Sequence, residues 1–334
     1  MKKTKVAIDI GSSYIKVLEG FTKKGTVILQ NAGIIENPVP NVRAELNEND
    51  QSLLAGFLKD FLARQKITGT ETICGIGGKD VVIHYFDIPD LQQNELQNAV
   101  ELEAPQVIPG GCENLEYDYQ VMSSAGRKTV LFAGYTKQKS SFFVDTLVQA
   151  GLKPLIMDLD ATALLNAHEL LVKKPDDIRF ILDIGGANTT FCLGEPGGFS
   201  LVRHLPFGGE QVTTAIRESL SLPRDGAEQF KKNADNHATV GKTVLSLIED
   251  SAADIETGIQ YFHMRTQKKP SGFFLTGGSA VLPELQKTLE ERLEIPGTVW
   301  NPLEKLEESP LPVEIRREGR MFAAALGLLA RKVL

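Results

Sequence analysis

The sequence predicts an α/β protein in which one sheet design occurs twice, giving two lobes, with a smaller α/β unit inserted in the first. Three observations predict it. An apolar strand, Lys5 to Ile10, ends at Asp9, turns through Gly11-Ser12-Ser13 and returns as Tyr14 to Gly20 with Lys16 on the return strand. Phe180-Ile181-Leu182-Asp183-Ile184-Gly185-Gly186-Ala187-Asn188-Thr189-Thr190 repeats that design. A third buried strand, Gly272-Phe273-Phe274-Leu275-Thr276, ends in Gly277-Gly278-Ser279. Each turn alone is an ordinary one. Two Asp-Ile-Gly hairpins in one chain are what a duplication leaves behind.

Composition narrows the function. The 334 residues suffice for two cores. A net charge of −7 argues against general nucleic-acid binding, which needs a basic face. No apolar run approaches the length of a membrane span, and the basic start Met1-Lys2-Lys3 leads to Asp9 rather than to a signal-peptide core. Cys74, Cys112 and Cys192 are far apart and lack a Cys-x-x-Cys pattern, as expected of thiols in a reducing compartment. The five histidines show no metal-ligand spacing. A cytoplasmic protein is expected.

The elements follow in order. Residues 5–35 read as a three-stranded meander, with Lys23-Lys24-Gly25 as its second turn and Asn37-Pro38-Val39-Pro40 as its end. Leu53, Leu54, Phe57, Leu58, Phe61 and Leu62 recur at helical spacing. Glu71 to Ile76 is a strand ended by Gly77-Gly78, and Gly-Gly-Lys79 reads as a loop. Val81 to Ile88 is a strand, and a helix opens at Pro89-Asp90 and runs to about Ala104, stopped by Pro105 and Pro109-Gly110-Gly111. Leu115 to Met122 and Thr129 to Tyr135 pair across Ser123-Ser124-Ala125-Gly126. A helix from Ser140 to Ala150, capped by Gly151, and a strand from Lys153 to Asp158 complete an insert expected over residues 81–158. It has no polar cluster suited to catalysis, so a docking role is expected of it.

A helix from Asp160 to about Val172 leads through Pro175-Asp176-Asp177 to the second hairpin, whose meander continues through Glu195-Pro196-Gly197-Gly198 into Phe199 to Leu205. Helices are expected over Gln211 to Leu220 and around Ala227 to Lys232. Asn236 to Thr243 nearly spells a phosphate-binding P-loop, but its first glycine is Asn236 and no strand precedes it, so that reading fails. Leu245, Ile248, Ala252, Ile255, Ile259 and Phe262 step as a core helix. After Gly277-Gly278 a helix is expected near Val281, with Pro283 in its first turn and its positive end beside the glycines. Thr298 to Trp300 is a short strand, and a helix rich in Ala323, Ala324, Ala325 and Gly327 is expected from Arg316 to Val333.

The chemistry lies in the turns. A Gly-Ser-Ser turn offers backbone N–H groups and hydroxyls to phosphate oxygens. An aspartate beside it suits Mg²⁺, which is held largely through its own waters. Lys16 adds a point charge. Two glycines after a strand let a flat ring or ribose approach the backbone.

Asp9-x-Gly-Ser, Asp183-x-Gly-Gly and Thr276-Gly-Gly-Ser, in this order and on these elements, resemble the two phosphate motifs and the adenosine motif of the actin, sugar-kinase and heat-shock-chaperone ATPases. The resemblance spans nearly the whole chain. The fold it implies is the actin-like, duplicated ribonuclease-H-like one, with the Asp160 helix and the final Ala-rich helix as interdomain connectors. Within that superfamily the chain is similar to the PilM family of type IV pilus assembly. Glu101-Leu102-Glu103-Ala104-Pro105-Gln106-Val107-Ile108-Pro109, Tyr117-Asp118-Tyr119-Gln120-Val121, Gly151-Leu152-Lys153-Pro154 and Leu205-Pro206-Phe207-Gly208-Gly209 carry that likeness. The insert also resembles the displaced subdomain of the division protein FtsA. A long C-terminal linker with a membrane-targeting amphipathic helix, which FtsA has, is not seen.

The resemblance implies ATP and Mg²⁺ as cofactors. Asp9 and Asp183 would face the metal. Gly11, Ser12, Ser13 and Lys16 would hold one side of the phosphates, and Gly185, Gly186, Asn188 and Thr189 the other. Glu210, Glu228, Lys231, Gly277, Gly278 and Ser279 would face the adenosine. The i,i+3 spacing of Glu228 and Lys231 equally describes a solvated ion pair. Residues 1–80 with 315–334 would form lobe I, 81–158 the insert, and 159–314 lobe II, with a nucleotide-covering part at about 210–270. Ala187 departs from the more polar or basic residue common in the family. No general base stands out, which implies slow or absent hydrolysis. The implied partners are the cytoplasmic N-terminal tail of PilN, other pilus assembly proteins and further copies of the chain, at the cytoplasmic face of the inner membrane and with no nucleic acid. An FtsA-like division polymer and a small-molecule kinase are the competing readings.

Overall fold

The computed structural model describes residues 4–23, 25–39, 47–78, 80–124, 126–172, 177–195, 197–306 and 309–331. Lys24, Pro40, Lys79, Ala125, Pro175, Asp176, Pro196 and residues 332–334, expected from sequence in turns, in a loop or in the last helix, lie outside them.

Two five-stranded sheets share one connectivity. In the first, β1 (Lys5–Ile10), β2 (Tyr14–Lys23) and β3 (Thr26–Glu36) form an antiparallel meander. Helix α1 (Glu48–Arg64) then leads to β4 (Glu71–Ile76), which lies parallel to β1. Asn47 starts α1 by accepting the Asp50 N–H at 2.8 Å, and Leu54, Leu58, Phe61 and Leu62 bury its apolar stripe.

The insert comprises β5 (Val82–Ile88), α2 (Gln93–Val107), β6 (Leu115–Ser124) and β7 (Arg127–Thr136), in the sheet order β5-β7-β6. One face of that sheet packs on α2 through Val100, Ala104, Val130 and Phe132. Pro105 does not stop α2, as expected from sequence. It sits in the last turn and the helix runs on to Val107.

The chain then leaves the insert earlier than the sequence suggested. Helix α3 (Lys137–Gln149) packs on α1, and β8 (Lys153–Leu159) lies parallel to β4. The first sheet is therefore β3-β2-β1-β4-β8. β8, expected inside the insert, is its fifth strand.

Helix α4 (Asp160–Leu171) crosses to the second half. There β9 (Arg179–Ile184), β10 (Thr189–Gly194) and β11 (Ser200–Leu205) repeat the meander. Helices α5 (Gly209–Leu220), α6 (Arg224–Lys232) and α7 (His237–Thr266) precede β12 (Gly272–Thr276), which is parallel to β9. Lys242, of the rejected P-loop, lies exposed within α7. Helix α8 (Leu285–Leu293) leads to β13 (Gly297–Val299), parallel to β12. The second sheet, β11-β10-β9-β12-β13, copies the first.

Two helix expectations are corrected. α8 begins at Leu285 and not near Val281, because Glu284 adopts φ 62°, in the left-handed region, which no right-handed helix can run through. The expected single last helix is broken into α9 (Val313–Arg317), a 3₁₀ turn from Gly319 to Phe322, and α10 (Ala323–Ala330). At Gly319 a Cβ would lie 1.9 Å from Asn301 Oδ1, so this turn is pinned to the chain after β13. α4 and α10 cross between the sheets, and a Cβ on Gly327 would lie 1.7 Å from the Ala163 carbonyl oxygen. The small residues of α10 let the two backbones meet there.

Candidate functional site

A cleft of about 1040 Å³ separates the two sheets. It is lined by Asp9, Gly11, Ser12, Ser13 and Lys16 from the first hairpin and by Asp183, Gly185, Gly186 and Asn188 from the second. Gly277, Gly278 and Ser279 after β12, Glu210 of α5 and Glu228 and Lys231 of α6 close it. Of the residues singled out from sequence, Thr189 alone is turned away. It is buried, and its hydroxyl donates to the Phe207 carbonyl at 2.8 Å. The next residue, Thr190, lines the cleft instead, because neighbours on a strand face opposite sides.

The two hairpin turns nearly touch. Ser12 Oγ accepts the Ala187 N–H at 3.2 Å, and a Cβ on Gly186 would stand 2.1 Å from Ser13 Oγ. Lys16 Nζ lies 2.7 Å from Asp9 Oδ2 and donates to the Tyr14 carbonyl at 3.3 Å. Burial first and nearby Asp9 second raise the Asp183 carboxyl, Lys16 offsets part of the effect, and the group is held at about 6. Gly277 has φ 89°, and a Cβ there would sit 2.3 Å from Asp183 Oδ1. That turn therefore requires glycine both for its backbone and for its neighbour.

The Glu228–Lys231 pair is not a solvated one. Lys231 Nζ is 2.6 Å from Glu228 Oε2 and donates to the Gly209 carbonyl at 3.0 Å and to Thr213 Oγ1 at 2.6 Å. Burial pushes the Glu228 carboxyl up, but hydrogen bonds from Lys231 and Thr213 overcome it and hold the group at about 2. The pair ties α6 to the start of α5. Glu210 is held at the rim by both arms of Arg224, at 3.0 and 2.8 Å.

A family model described as type IV pilus assembly protein PilM matches residues 7–333. The chain belongs to the PilM family. A solved PilM–PilN type IV pilus biogenesis complex is similar to it, with TM-score 0.83, 22% identity and 97% of both chains covered. The ethanolamine utilization protein EutJ from Carboxydothermus hydrogenoformans has TM-score 0.59 and 15% identity over 98% of this chain and 89% of that one. MreB 5 of Spiroplasma citri bound to AMPPNP has TM-score 0.50 and 12% identity over 92% and 95%. The cell division protein FtsA of Bacillus subtilis (strain 168) is 27% identical over 138 residues, 34% of this chain and 31% of FtsA. The fold is that of the actin-like ATPases, and the chain is an actin-like protein of type IV pilus assembly.

The cleft's donor set fits a nucleotide with a hydrated divalent cation. Asn188 Nδ2, on the second hairpin's wall of the cleft, is buried without a partner among the described residues, an unused donor. Among the described residues no group of three or more His, Cys, Asp or Glu side chains is gathered closely enough to hold a metal directly. The two carboxylates of Asp9 and Asp183 would suit a divalent cation that keeps most of its own water.

In this PilM-family cleft, sequence reasoning missed Asp160, Arg320 and Met321. Asp160 opens α4 and fills the space beside Gly75 and Gly77, where a Cβ would lie 2.1 Å from its carboxylate oxygens. Gly75 within β4 and Gly77 just after it were the available signal for it. Met321 packs against Gly278, its Cε 3.3 Å from where a Cβ would be.

Proposed function

We propose that the chain binds ATP with Mg²⁺ in the interlobe cleft and acts as a nucleotide-dependent scaffold of the pilus assembly platform. The observation that carries this reading is the convergence of the Asp9 turn, the Asp183 turn and the Gly277–Ser279 turn on one cleft. Asp9 and Asp183 serve the metal side. Gly11, Ser12, Ser13 and Lys16 bind the phosphates from one wall, and Gly185, Gly186 and the free amide of Asn188 bind them from the other. Thr189 has no part, since its hydroxyl is committed to Phe207. Glu228 and Lys231 shape the adenosine side through α5, with Glu210, Gly277, Gly278 and Ser279 around it. Bound Mg²⁺ supplies charge neutralisation at the phosphates.

The scaffold reading extends to a partner. The likeness to PilM in a PilM–PilN complex supports PilN, through its cytoplasmic N-terminal tail, as the ligand of the insert. No helix among the described residues is long and apolar enough to cross a membrane. In this reading the partner holds the chain at the inner membrane. Hydrolysis is slow, and the nucleotide acts chiefly on lobe closure.

The test is calorimetric titration with the N-terminal peptide of the cognate PilN, with and without Mg-ATP. Saturable binding that a scrambled peptide does not reproduce is the expected result. Binding of neither the peptide nor Mg-ATP would defeat the reading.

A further inference from the structure

A second groove, of about 690 Å³, shares no lining residue with the cleft. Five consecutive residues of β6, Tyr117 to Val121, line it together with Leu96 and Glu101 of α2. Alternate side chains of a strand point to opposite faces, so five in a row share one groove only along the strand's edge. Among the described residues β6 is an edge strand of the insert sheet, bonded to β7 alone. It is ten residues long, with no proline and with unbroken register. Such edges are normally shortened, bulged or covered.

The groove's two sides differ in chemistry. On the α2 side Tyr119 and Val121 pack on the insert core, and Tyr117 stacks on Phe132 at 4.8 Å while remaining 40% exposed. Asp118 in the groove, Glu116 on the same face of β6 just before it, and Glu101 at the α2 rim are exposed, and no cation pairs with any of the three among the described residues. Asp118 Oδ1 instead accepts the N–H of Tyr119 at 2.8 Å, so that amide is not spent on β7.

We infer that the free edge of β6 accepts an extended basic segment of a partner polypeptide as a fourth strand of the insert sheet. Apolar side chains of that segment lie over Tyr117 and Tyr119, and its alternate Lys or Arg side chains meet Glu116 and Asp118. A cation on Asp118 releases the Tyr119 N–H to the incoming strand. A second copy of this chain is the wrong occupant, because β6 paired with β6 sets two acidic rows against each other. The site is independent of the nucleotide cleft.

The experiment titrates the full chain with an alternating valine–lysine peptide matched to the ten residues of β6, followed by fluorescence anisotropy and hydrogen exchange. Saturable binding with new protection across β6 is expected. Glu116→Lys with Asp118→Lys should weaken it about tenfold or more, at unchanged Mg-ATP affinity and unchanged circular dichroism. Four results overturn the inference: no saturable binding, equal binding of a block peptide of the same composition, binding without protection in β6, or affinity that survives the double reversal. Self-association of the free chain that the same double variant alters would assign the edge to a second copy and overturn it too.

Discussion

Asp9 and Lys16 face each other across the first hairpin. They are register partners in the β1–β2 ladder, and Lys16 Nζ lies 2.7 Å from Asp9 Oδ2. Only 12% and 8% of the two side chains are exposed, so solvent screens the pair weakly. Lys16 therefore does two things: it neutralises Asp9, and it moderates the repulsion that Asp9 exerts on Asp183.

Lys16→Met should accordingly weaken Mg-ATP binding by about 10- to 100-fold, the range for losing a charge-assisted hydrogen bond. It should also drive the Asp183 titration further above its present value near 6. Calorimetry at two pH values reads both. An unchanged affinity would confine the lysine to pairing with Asp9.

Asp183 supplies a pH prediction with a definite sign. Its carboxyl is raised from 3.8 to about 6 by burial and by Asp9. Between these values the folded chain binds more protons than the unfolded one, so stability falls as pH rises through the window and stays lower above it. Asp183→Asn should therefore raise the melting temperature above pH 6, equivalent to ~1–3 kcal/mol, with the gain fading as pH falls towards 3.8. The same variant should lose Mg-ATP binding. Thermal melts across the window check the first claim, and a wild-type and variant difference that ignores pH would refute it.

The hairpins were legible because they are local: an apolar strand, an aspartate and a glycine turn specify their own pairing. The strand from Lys153 was legible as a strand but not as a member of the first sheet. Its partner β4 is some eighty residues away along the chain, across the whole insert, and periodicity carries no information on such pairing. Thr189 and Thr190 could not be told apart, since one step of register exchanges the two faces. The start of α8 was misplaced because Pro283, a good first-turn residue, sits one residue before Glu284 in the left-handed region. Asp160 read as a helix opener, and only the packing against Gly75 and Gly77 brings it to the cleft.

The insert is joined in sequence to the first lobe but clasps the second. Tyr85 Oη accepts the Val202 N–H of edge strand β11 at 2.8 Å. Arg265 of α7 donates to Asp87 and Thr129 and lies 5.6 Å over the Phe199 ring. Its hydrogen bond is the main cause of the lowered Asp87 carboxyl. Tyr85→Phe leaves a strand amide without an acceptor and should cost about 1–2 kcal/mol in urea unfolding. Hydrogen exchange of the Val202 amide should rise in that variant. Stability and exchange both at the wild-type value would mean the clasp is not maintained in solution.

The glycines separate the fold from the site. At Gly327 an added Cβ meets the Ala163 carbonyl oxygen at 1.7 Å, backbone against backbone, and nothing flexible can yield. Gly327→Ala should force α4 and α10 apart and cost about 3 kcal/mol or more. At Gly186 the added Cβ meets Ser13 Oγ at 2.1 Å, the end of a rotatable side chain. Gly186→Ala should therefore leave the melting temperature nearly unchanged, within about 1 kcal/mol, while displacing Ser13 from the phosphate wall and weakening Mg-ATP binding. If the loss is steric, adding Ser13→Ala removes the colliding oxygen and returns part of the affinity, although a hydroxyl ligand has gone. If the double variant binds worse than Gly186→Ala alone, the two effects add, and the serine hydroxyl rather than the spacing of the turns sets the affinity.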